Sequence, residues 1–295
     1  GREGDGDALD AIAAMPASGV APTARRIDPA SAIAIVPALR PAAVAAGAVW
    51  EPDALALDVA ALLAAFAAGA RARGATLRRG VRVRGCRRSG PDGAWSVELD
   101  GDTGDGDTVD ADVIVDAAGA WGDEVATAAD VGPLGLQPLR RTACLVPAPD
   151  DVAGWPLVMD VAERCYFEPE AGGLLLSPAD EHPSAPTDAR AETEDVAWAL
   201  DVLAETTTLA VRSVRQEWAG LRTFTPDRVP AVGWDPEVAG FCWLVGQGGA
   251  GIKTAPAMAA AIAAIVGGRP WPEELAAVGV SPGDVDPARF VHSPA

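Results

Sequence analysis

Residues 243–268 of the chain read WLVGQGGAGIKTAPAMAAAIAAIVGG, and Gly246, Gly248 and Gly251 within this stretch have the spacing G-x-G-x-x-G. The five residues before Gly246 are apolar and typical of a strand, and the run from about Ile252 to Val266 is typical of a helix. The stretch therefore predicts a strand, a glycine-rich turn and a helix, which is the local structure that binds phosphate groups in dinucleotide folds.

A dinucleotide fingerprint also requires a second strand after the helix, ending in an acidic residue about 20 positions beyond the glycines. Here the helix runs into residues 267–272, GGRPWP, through which no strand can continue. Glu273 and Glu274 fall near the required distance but do not end a strand. The pattern thus indicates a turn whose backbone N–H groups and helix dipole favour an anionic atom, without the rest of a nucleotide site.

Composition limits the class of partner. The chain has 295 residues, of which 49% are hydrophobic, so it can bury a sizeable core. Its formal net charge of −19 argues against a nucleic-acid or anionic-membrane partner, because phosphate groups require a basic surface.

The cysteines and histidines limit the chemistry. The four cysteines (Cys86, Cys144, Cys165 and Cys242) form no C-x-x-C pair, and their apolar contexts predict buried free thiols in a reducing compartment. We therefore expect a cytoplasmic protein. With only His182 and His292 in the chain, we expect no histidine-based metal site or catalytic triad.

No targeting or membrane segment is predicted. The apolar residues 251–266 are interrupted by Lys253 and Pro256, so we expect no integral membrane segment. Residues 1–10 are acidic and polar, unlike a secretory signal.

The order of elements predicts an α/β fold with an inserted α+β domain. Asp58 is placed to cap an alanine-rich helix, Val59–Arg73, and the apolar run Val109–Val115 is typical of a buried parallel strand. From Pro138 to Trp218, short strand-like segments between Pro and Gly turns indicate an antiparallel sheet, interrupted by one helix at about Thr193–Glu205.

Six segments together resemble the D-amino-acid oxidase/dehydrogenase family of FAD-dependent oxidoreductases, and among them most closely the D-arginine-dehydrogenase type. They are EPDALALDVAALLAAFAAGARARGA (51–75), ADVIVDAAGAW (111–121), LGLQPLRRTA (134–143), YFEPEAGGLLLSPAD (166–180), WAGLRTFTPD (218–227) and FCWLVGQGGAGIKTAPAM (241–258). The resemblance implies a partial FAD/NAD(P)-binding Rossmann-like domain and an antiparallel-sheet substrate domain. The corresponding boundaries are residues 1–54 (mostly on the substrate-domain side), 55–133 (FAD-binding), 134–221 (substrate-binding) and 222–295 (FAD-binding and tail).

By the same resemblance, the glycine-rich turn approaches the flavin ring of FAD rather than the pyrophosphate. The implied cofactor-binding residues are Val83, Gly119, Trp121, Gly246, Gly249, Ala250, Gly251, Ile252, Lys253 and Thr254. Family members begin with a βαβ unit that carries G-x-G-x-x-G and holds the ADP half of FAD, and this chain shows no counterpart. We therefore expect either a longer natural protein or a defective or split form.

The resemblance also implies a substrate site. Arg222 matches the arginine that anchors the substrate carboxylate, and a planar guanidinium suits a carboxylate because it forms two parallel hydrogen bonds. Tyr166, the only tyrosine, and Arg141 match residues presented to the substrate, although a pair such as Arg140–Arg141 is also typical of a solvated face. Lys253 could hold the carboxylate, face the flavin or be a solvated residue at the helix start.

These residues predict an enzyme that oxidises the Cα–N bond of a D-amino acid or related amino acid to an imine, with FAD as hydride acceptor and a keto acid as final product. Two alternatives stay open. The chain could be a non-catalytic remnant with an incomplete flavin site, or, because of Lys253, an oxidase of sarcosine or another secondary amine.

Overall fold

The structure is a computed structural model that describes residues 1–15, 21–89, 93–101 and 106–290. The chain forms two compact units. The first, which we call the antiparallel unit, comprises Gly1–Leu57, Arg140–His182 and Asp188–Gly220. The second, the α/β unit, comprises Asp58–Leu139, Pro183–Thr187 and Leu221–Ala295.

The helices are α1 (Gly6–Ala13), α2 (Pro29–Ile35), α3 (Val59–Ala72), α4 (Gly122–Ala128), α5 (Thr193–Thr206), α6 (Gly251–Val266), α7 (Glu273–Ala277) and α8 (Pro282–Val285). The strands are β1 (Arg25–Ile27), β2 (Ala48–Trp50), β3 (Val81–Arg88), β4 (Trp95–Gly101), β5 (Asp107–Ala111), β6 (Ile114–Asp116), β7 (Gln137–Pro147), β8 (Val158–Met159), β9 (Tyr166–Glu170), β10 (Gly173–Ser177), β11 (His182–Pro183), β12 (Gln216–Phe224), β13 (Ala231–Trp234) and β14 (Phe241–Val245).

The antiparallel unit is built on a sheet of order β11–β7–β10–β9–β8, and β12 also pairs with β7. Alternate residues of β9 and β10, among them Phe167, Leu174 and Leu176, are buried against one side of α5. α5 contributes Val202 and Leu203 to this core. Each such side chain contributes roughly 1.5–3 kcal/mol by leaving water. The predicted antiparallel sheet with one covering helix is therefore confirmed.

The α/β unit contains a sheet of order β13–β14–β6 and a separate antiparallel meander, β3–β4–β5. β14 pairs in parallel with β6, with Phe241 opposite Ile114 and Trp243 opposite Asp116. Trp95, Phe241 and Trp243 form the core on one side of this sheet. The predicted fold class, α/β with an antiparallel-sheet domain, is confirmed.

The prediction of one strand over Val109–Val115 is wrong. The chain leaves the extended conformation at Asp112, so that β5 completes the meander and β6 joins the parallel pair. Val109 is 40% exposed on the meander, so the apolar run does not mark one buried strand. A continuous apolar run can serve two sheets, and its pattern alone does not show where it divides.

Helix α6 continues through Pro256, which confirms the helix predicted over about Ile252–Val266. Gly248–Val266 is long and apolar enough, by length and composition alone, to cross a membrane. A core helix passes the same test, and Met258, Ala261 and Ile262 of α6 are buried against Val232 and Cys242 of the sheet.

Candidate active site

The glycine-rich turn lies directly on the end of β12. Gly246 and Gly248 have φ angles of +77° and +53°, which side-chain-bearing residues rarely adopt. A Cβ on Gly246 would stand 2.6 Å from Cγ2 of Thr225, and a Cβ on Gly248 would overlap the ring of Phe224. These two positions therefore require glycine both for their dihedral angles and for the close approach of the two segments.

Arg222 lies beside the same turn. A Cβ built on Gly249 would stand 2.9 Å from Nη1 and 3.5 Å from Cζ of Arg222, so the guanidinium rests against the bare backbone. Arg222 is half-buried, and no described residue forms a hydrogen bond or ion pair with its side chain. A partly desolvated guanidinium without an acidic partner favours an anion from outside the chain.

The N-terminus of α6 follows the turn at Gly251. Its N-cap, Ala250, provides no side-chain hydrogen bond, and the 3₁₀ turn Gly248–Ala250 leads directly into the helix, whose dipole favours an anion at this end. The Thr254 hydroxyl donates to the Ala250 carbonyl at 2.9 Å and is thereby occupied. Ile252 is 47% exposed, and Lys253 is exposed without a described partner.

A second turn follows β6. Gly119 adopts φ +59° at the start of a 3₁₀ turn, Gly119–Trp121, and a Cβ there would meet nothing within 4 Å. Glycine is therefore needed at this position only for the dihedral angle. Trp121, at the end of the turn, is 39% exposed.

Asp116, the last residue of β6, is a functional candidate that sequence reasoning missed. It is 2% exposed, its Oδ1 accepts the Ala118 N–H at 2.9 Å, and its buried Oδ2 has no described partner. Burial, with a smaller contribution from the charge of Asp123, raises the pKa of Asp116 to about 7. The available signal was a carboxylate that ends an apolar strand immediately before Ala-Ala-Gly.

The two turns occupy one edge of the sheet, because β6 and β14 are parallel neighbours and their carboxyl ends coincide. A Cβ on Gly122, just beyond the first turn, would stand 3.1 Å from Cγ1 of Val245, just before the second. Open α/β sheets bind ligands at such carboxyl edges. The structure thus brings together, within one unit, most of the residues predicted from the sequence to bind the cofactor.

Val83 is positioned differently from the other predicted cofactor residues. It lies in the β3–β4–β5 meander, and its side chain packs against the core that contains Trp95 and Phe241. Val83 is half-buried there.

Two predicted substrate residues lie in the antiparallel unit. Tyr166 begins β9, is half-buried, and has no described hydrogen-bond partner for its hydroxyl. Arg141 is engaged instead: its Nε donates to the Asp180 carbonyl at 2.7 Å, and its Nη2 lies 3.4 Å from Oε1 of Glu181.

The antiparallel unit also contains a charged cluster that the sequence did not predict. Asp180, His182 and Asp195 place one potential metal-ligand atom each within 4.8 Å of one another. The Arg140 guanidinium lies among them, with Nη2 2.8 Å from Oδ2 of Asp195 and Nε 4.0 Å from Oδ2 of Asp180. Arg140 also forms an ion pair with Glu192, so a protein cation already lies among these carboxylates.

Comparison with known proteins identifies the family. Residues 2–265 match the family described as DAO, FAD dependent oxidoreductase. The uncharacterised oxidoreductase YurR of Bacillus subtilis (strain 168) is 27% identical over 165 residues, which cover 54% of this chain and 43% of that protein.

Two solved structures show the same fold. Glycine oxidase from Geobacillus kaustophilus superposes with a TM-score of 0.68 at 24% identity, covering 88% of this chain and 66% of that one. L-Proline dehydrogenase from P. horikoshii gives a TM-score of 0.70 at 22% identity, covering 90% and 68%. The chain thus spans less than half of the curated relative and about two thirds of these structures. With its family match over nearly the whole chain, the protein belongs to the DAO family of FAD-dependent oxidoreductases.

Proposed function

We propose that the protein oxidises the Cα–N bond of an amino acid or closely related amine to an imine, which water converts to a keto acid. The main observation in support is the half-buried Arg222 guanidinium, which lies against Gly249 and has no described acidic partner. The two solved structures with this fold are a glycine oxidase and an L-proline dehydrogenase, which supports a substrate of this class.

The α/β unit fits a flavin. A glycine-rich turn leads into the N-terminus of α6, where Ala250 provides no side-chain cap and the helix dipole favours partial negative charge. These segments and the Gly119 turn would hold FAD, which when bound would accept the hydride from the substrate.

Arg222 would bind the substrate carboxylate through two parallel hydrogen bonds and so fix the orientation of the Cα–H bond. Tyr166 would donate its free hydroxyl to the substrate. Arg141 would serve as a substrate ligand only by exchanging its contacts with Asp180 and Glu181, which makes its proposed role secondary to that of Arg222. From the sequence resemblance, we also propose that the substrate is a D-amino acid and that the protein is of the D-arginine-dehydrogenase type.

The test is anaerobic reduction of flavin. The purified chain is incubated with FAD, desalted, and titrated with glycine, sarcosine, proline, D-arginine and L-arginine while the visible flavin absorption is followed. Bleaching by at least one of these compounds in the wild type, and loss of bleaching in R222Q, supports the proposal. Retained flavin that none of the compounds bleaches would contradict it.

Lys253 supports a variant of this function. Its ammonium group is exposed at the start of α6 without a described partner, so it is available to a carboxylate or to the flavin. We propose sarcosine or another secondary amine as the alternative substrate class. If K253Q reduced turnover of sarcosine and proline more than turnover of D-arginine, this alternative would be favoured.

A second candidate function, that of an incomplete flavin protein, rests on exposed apolar surface. None of the 14 residues of α3 is buried, and Leu63 and Phe66 are 70% and 47% exposed. Among the described strands, β6 is at the edge of a parallel pair, a type of sheet that is normally covered and extended. We propose that a βαβ unit with its own phosphate-binding turn covers this surface and holds the ADP half of FAD.

This second candidate predicts that the chain alone loses FAD on desalting and that α3 exchanges its amide hydrogens rapidly. A longer product of the same coding region should retain the flavin and protect α3. Stoichiometric retention of flavin by the chain alone would exclude the candidate function of an incomplete flavin protein.

We also propose a cytoplasmic location. The four cysteines are buried free thiols, which suits a reducing compartment. Cell fractionation tests this proposal directly.

A further inference from the structure

The glycine-rich turn rests on the end of β12 and on the loop of residues 225–230 that follows it. Thr225 is 1% exposed, and its Cγ2 is the atom that a Cβ on Gly246 would meet at 2.6 Å. The ring of Phe224 blocks a Cβ on Gly248 in the same way. Two consecutive residues, Phe224 and Thr225, therefore set the position of the two left-handed glycines.

This loop has a conformation that its own residues do not favour. Arg228 adopts φ +64°, a left-handed angle that residues other than glycine rarely adopt. Its guanidinium lies 3.9 Å from the centre of the Phe224 ring. Such a backbone angle persists only where the surrounding structure holds it. The loop therefore depends on contacts from outside itself to keep its shape.

Arg289, in the 3₁₀ turn Pro287–Phe290, supplies these contacts. Its Nη2 donates to the carbonyls of Val229 and Pro230 at 2.6 and 3.1 Å, and its Nε donates to Oδ2 of Asp227 at 2.7 Å. The hydrogen bond from Arg289 is the main cause that lowers the pKa of Asp227 to about 2, so this carboxylate is ionised at neutral pH.

Asp227 connects the guanidinium to the residue that abuts the glycine-rich turn. Its Oδ1 accepts the Val229 N–H at 3.0 Å and lies 2.9 Å from the Thr225 hydroxyl, which donates to the Val229 carbonyl at 2.6 Å. Contacts thus run from Arg289 to Asp227 and on to Thr225. Because a planar guanidinium forms several of these bonds at once, it fixes the loop more firmly than a single contact would.

We propose that Arg289 is a positioning residue that holds the glycine-rich turn, residues 246–251, in the shape that binds the flavin. It acts through the loop of residues 225–230 and does not itself contact the flavin or the substrate. This inference rests on the proposed function. A displaced turn would also move Gly249 relative to Arg222, so release of the loop should weaken binding of both the flavin and the substrate carboxylate.

The chain offers a matched control at the other end of α6. Arg269 also donates from Nη2 to a backbone carbonyl, that of Ala263 at 3.0 Å, but it lies just beyond the C-terminal end of the helix. R269Q and R289Q remove the same charge, and only R289Q releases the loop. R289K tests rescue by a conservative change, and D227N tests whether Arg289 acts through the carboxylate.

The first measurement is hydrogen exchange of the full chain without flavin, followed by mass spectrometry. We expect residues 244–252 to exchange roughly tenfold faster in R289Q than in the wild type, with R289K between them and R269Q unchanged. D227N should resemble R289Q, and the double variant should exceed neither by much, because the two residues act in one chain of contacts. Residues 111–121, which include the Gly119 turn, should exchange equally in all variants, which excludes general unfolding.

The second measurement compares the binding of FAD and of the substrate that reduces it. We expect R289Q to raise the Kd for FAD and the KM for this substrate about tenfold, with a smaller change in the rate of reduction at saturation. A loss of folded protein would instead lower the rate and leave KM unchanged.

The outcomes separate the two proposals. Equal exchange of residues 244–252 in R289Q and the wild type, or equal effects of R289Q and R269Q, overturns the role of Arg289 and leaves the proposed function intact. Absence of flavin reduction by every amino acid in the wild type contradicts the proposed function, while hydrogen exchange still decides whether Arg289 holds the turn.

Discussion

The guanidinium of Arg222 lies against Gly249, so closely that a Cβ on Gly249 would stand 2.9 Å from Nη1. Arg222 lies near the end of β12, and Gly249 lies in the 3₁₀ turn, Gly248–Ala250, that precedes α6. Their contact places a cation at the N-terminal end of a helix, where two sources of positive potential add. This position therefore favours an anionic group of a ligand.

Substitution of Gly249 by alanine should therefore move Arg222 without unfolding the chain. The clash is with the end of a flexible side chain, and Gly249 does not adopt a positive φ angle. We expect weaker binding of substrate, measured as a raised KM or Kd, with a change in melting temperature of less than about 4 °C. Gly132→Ala, where a Cβ would meet nothing within 4 Å, is the control that should change neither quantity.

Substitution of Arg222 tests the carboxylate anchor itself. R222Q should weaken substrate binding about 10- to 100-fold, which corresponds to one lost charge-assisted contact, and R222K should retain part of the affinity. R141Q should have a smaller effect because Arg141 is already bound to Asp180 and Glu181. An equal loss in R222Q and in the exposed control R82Q would show that only net charge matters.

The two left-handed glycines Gly248 and Gly119 should differ in their tolerance of alanine. At Gly119 only the dihedral angle opposes a side chain, so G119A should lose about 1–2 kcal/mol of stability. At Gly248 the ring of the buried Phe224 is also in the way, so G248A should lose about 2–4 kcal/mol. Urea unfolding of both variants gives this order, and the reverse order would contradict the packing of the turn on β12.

Asp116 should make stability depend on pH. Its pKa is raised to about 7 in the folded state from an ordinary value of 3.8, so the folded chain holds the extra proton between these values. The unfolding free energy that protonation of Asp116 contributes is fully present below pH 3.8 and is lost as the pH rises through about 7.

Between pH 5.5 and 8 the wild type should therefore lose about 2 kcal/mol more unfolding free energy than D116N, which cannot ionise at this position. Urea titrations at the two pH values measure the difference. Asp110, exposed on β5, provides the control D110N, which should follow the wild type.

Removal of Arg140 should expose a latent cation site. In R140A the carboxylates of Asp180 and Asp195 lose their guanidinium, and these groups with His182 remain within 4.8 Å of one another. We expect R140A to melt at a lower temperature than the wild type and to be stabilised by Zn²⁺, whereas the wild type should not respond. Equal responses of the two proteins would show that Arg140 does not occupy the place of a metal ion.

Local features of the sequence determined much of the secondary structure. Asp58 was predicted to cap a helix, and its side chain accepts the Ala61 N–H at 2.8 Å. The inserted helix was predicted over Thr193–Glu205 and is observed over Thr193–Thr206. Such elements are predictable because caps and apolar periodicity act over a few residues of one segment. The same holds for the strand, glycine turn and helix of residues 241–266.

Only the tertiary structure decided how these elements meet. It divided the apolar run at residues 109–115 between two sheets, since the pairing partners of a strand are remote in sequence. It placed Arg222 on Gly249, engaged Arg141 with Asp180, and left Oδ2 of Asp116 buried without a described partner. The burial of a charged group and its ion-pair or hydrogen-bond partners depend on which residues, distant in sequence, come into contact. These contacts decide whether the charged group forms an internal ion pair or is left to bind a ligand.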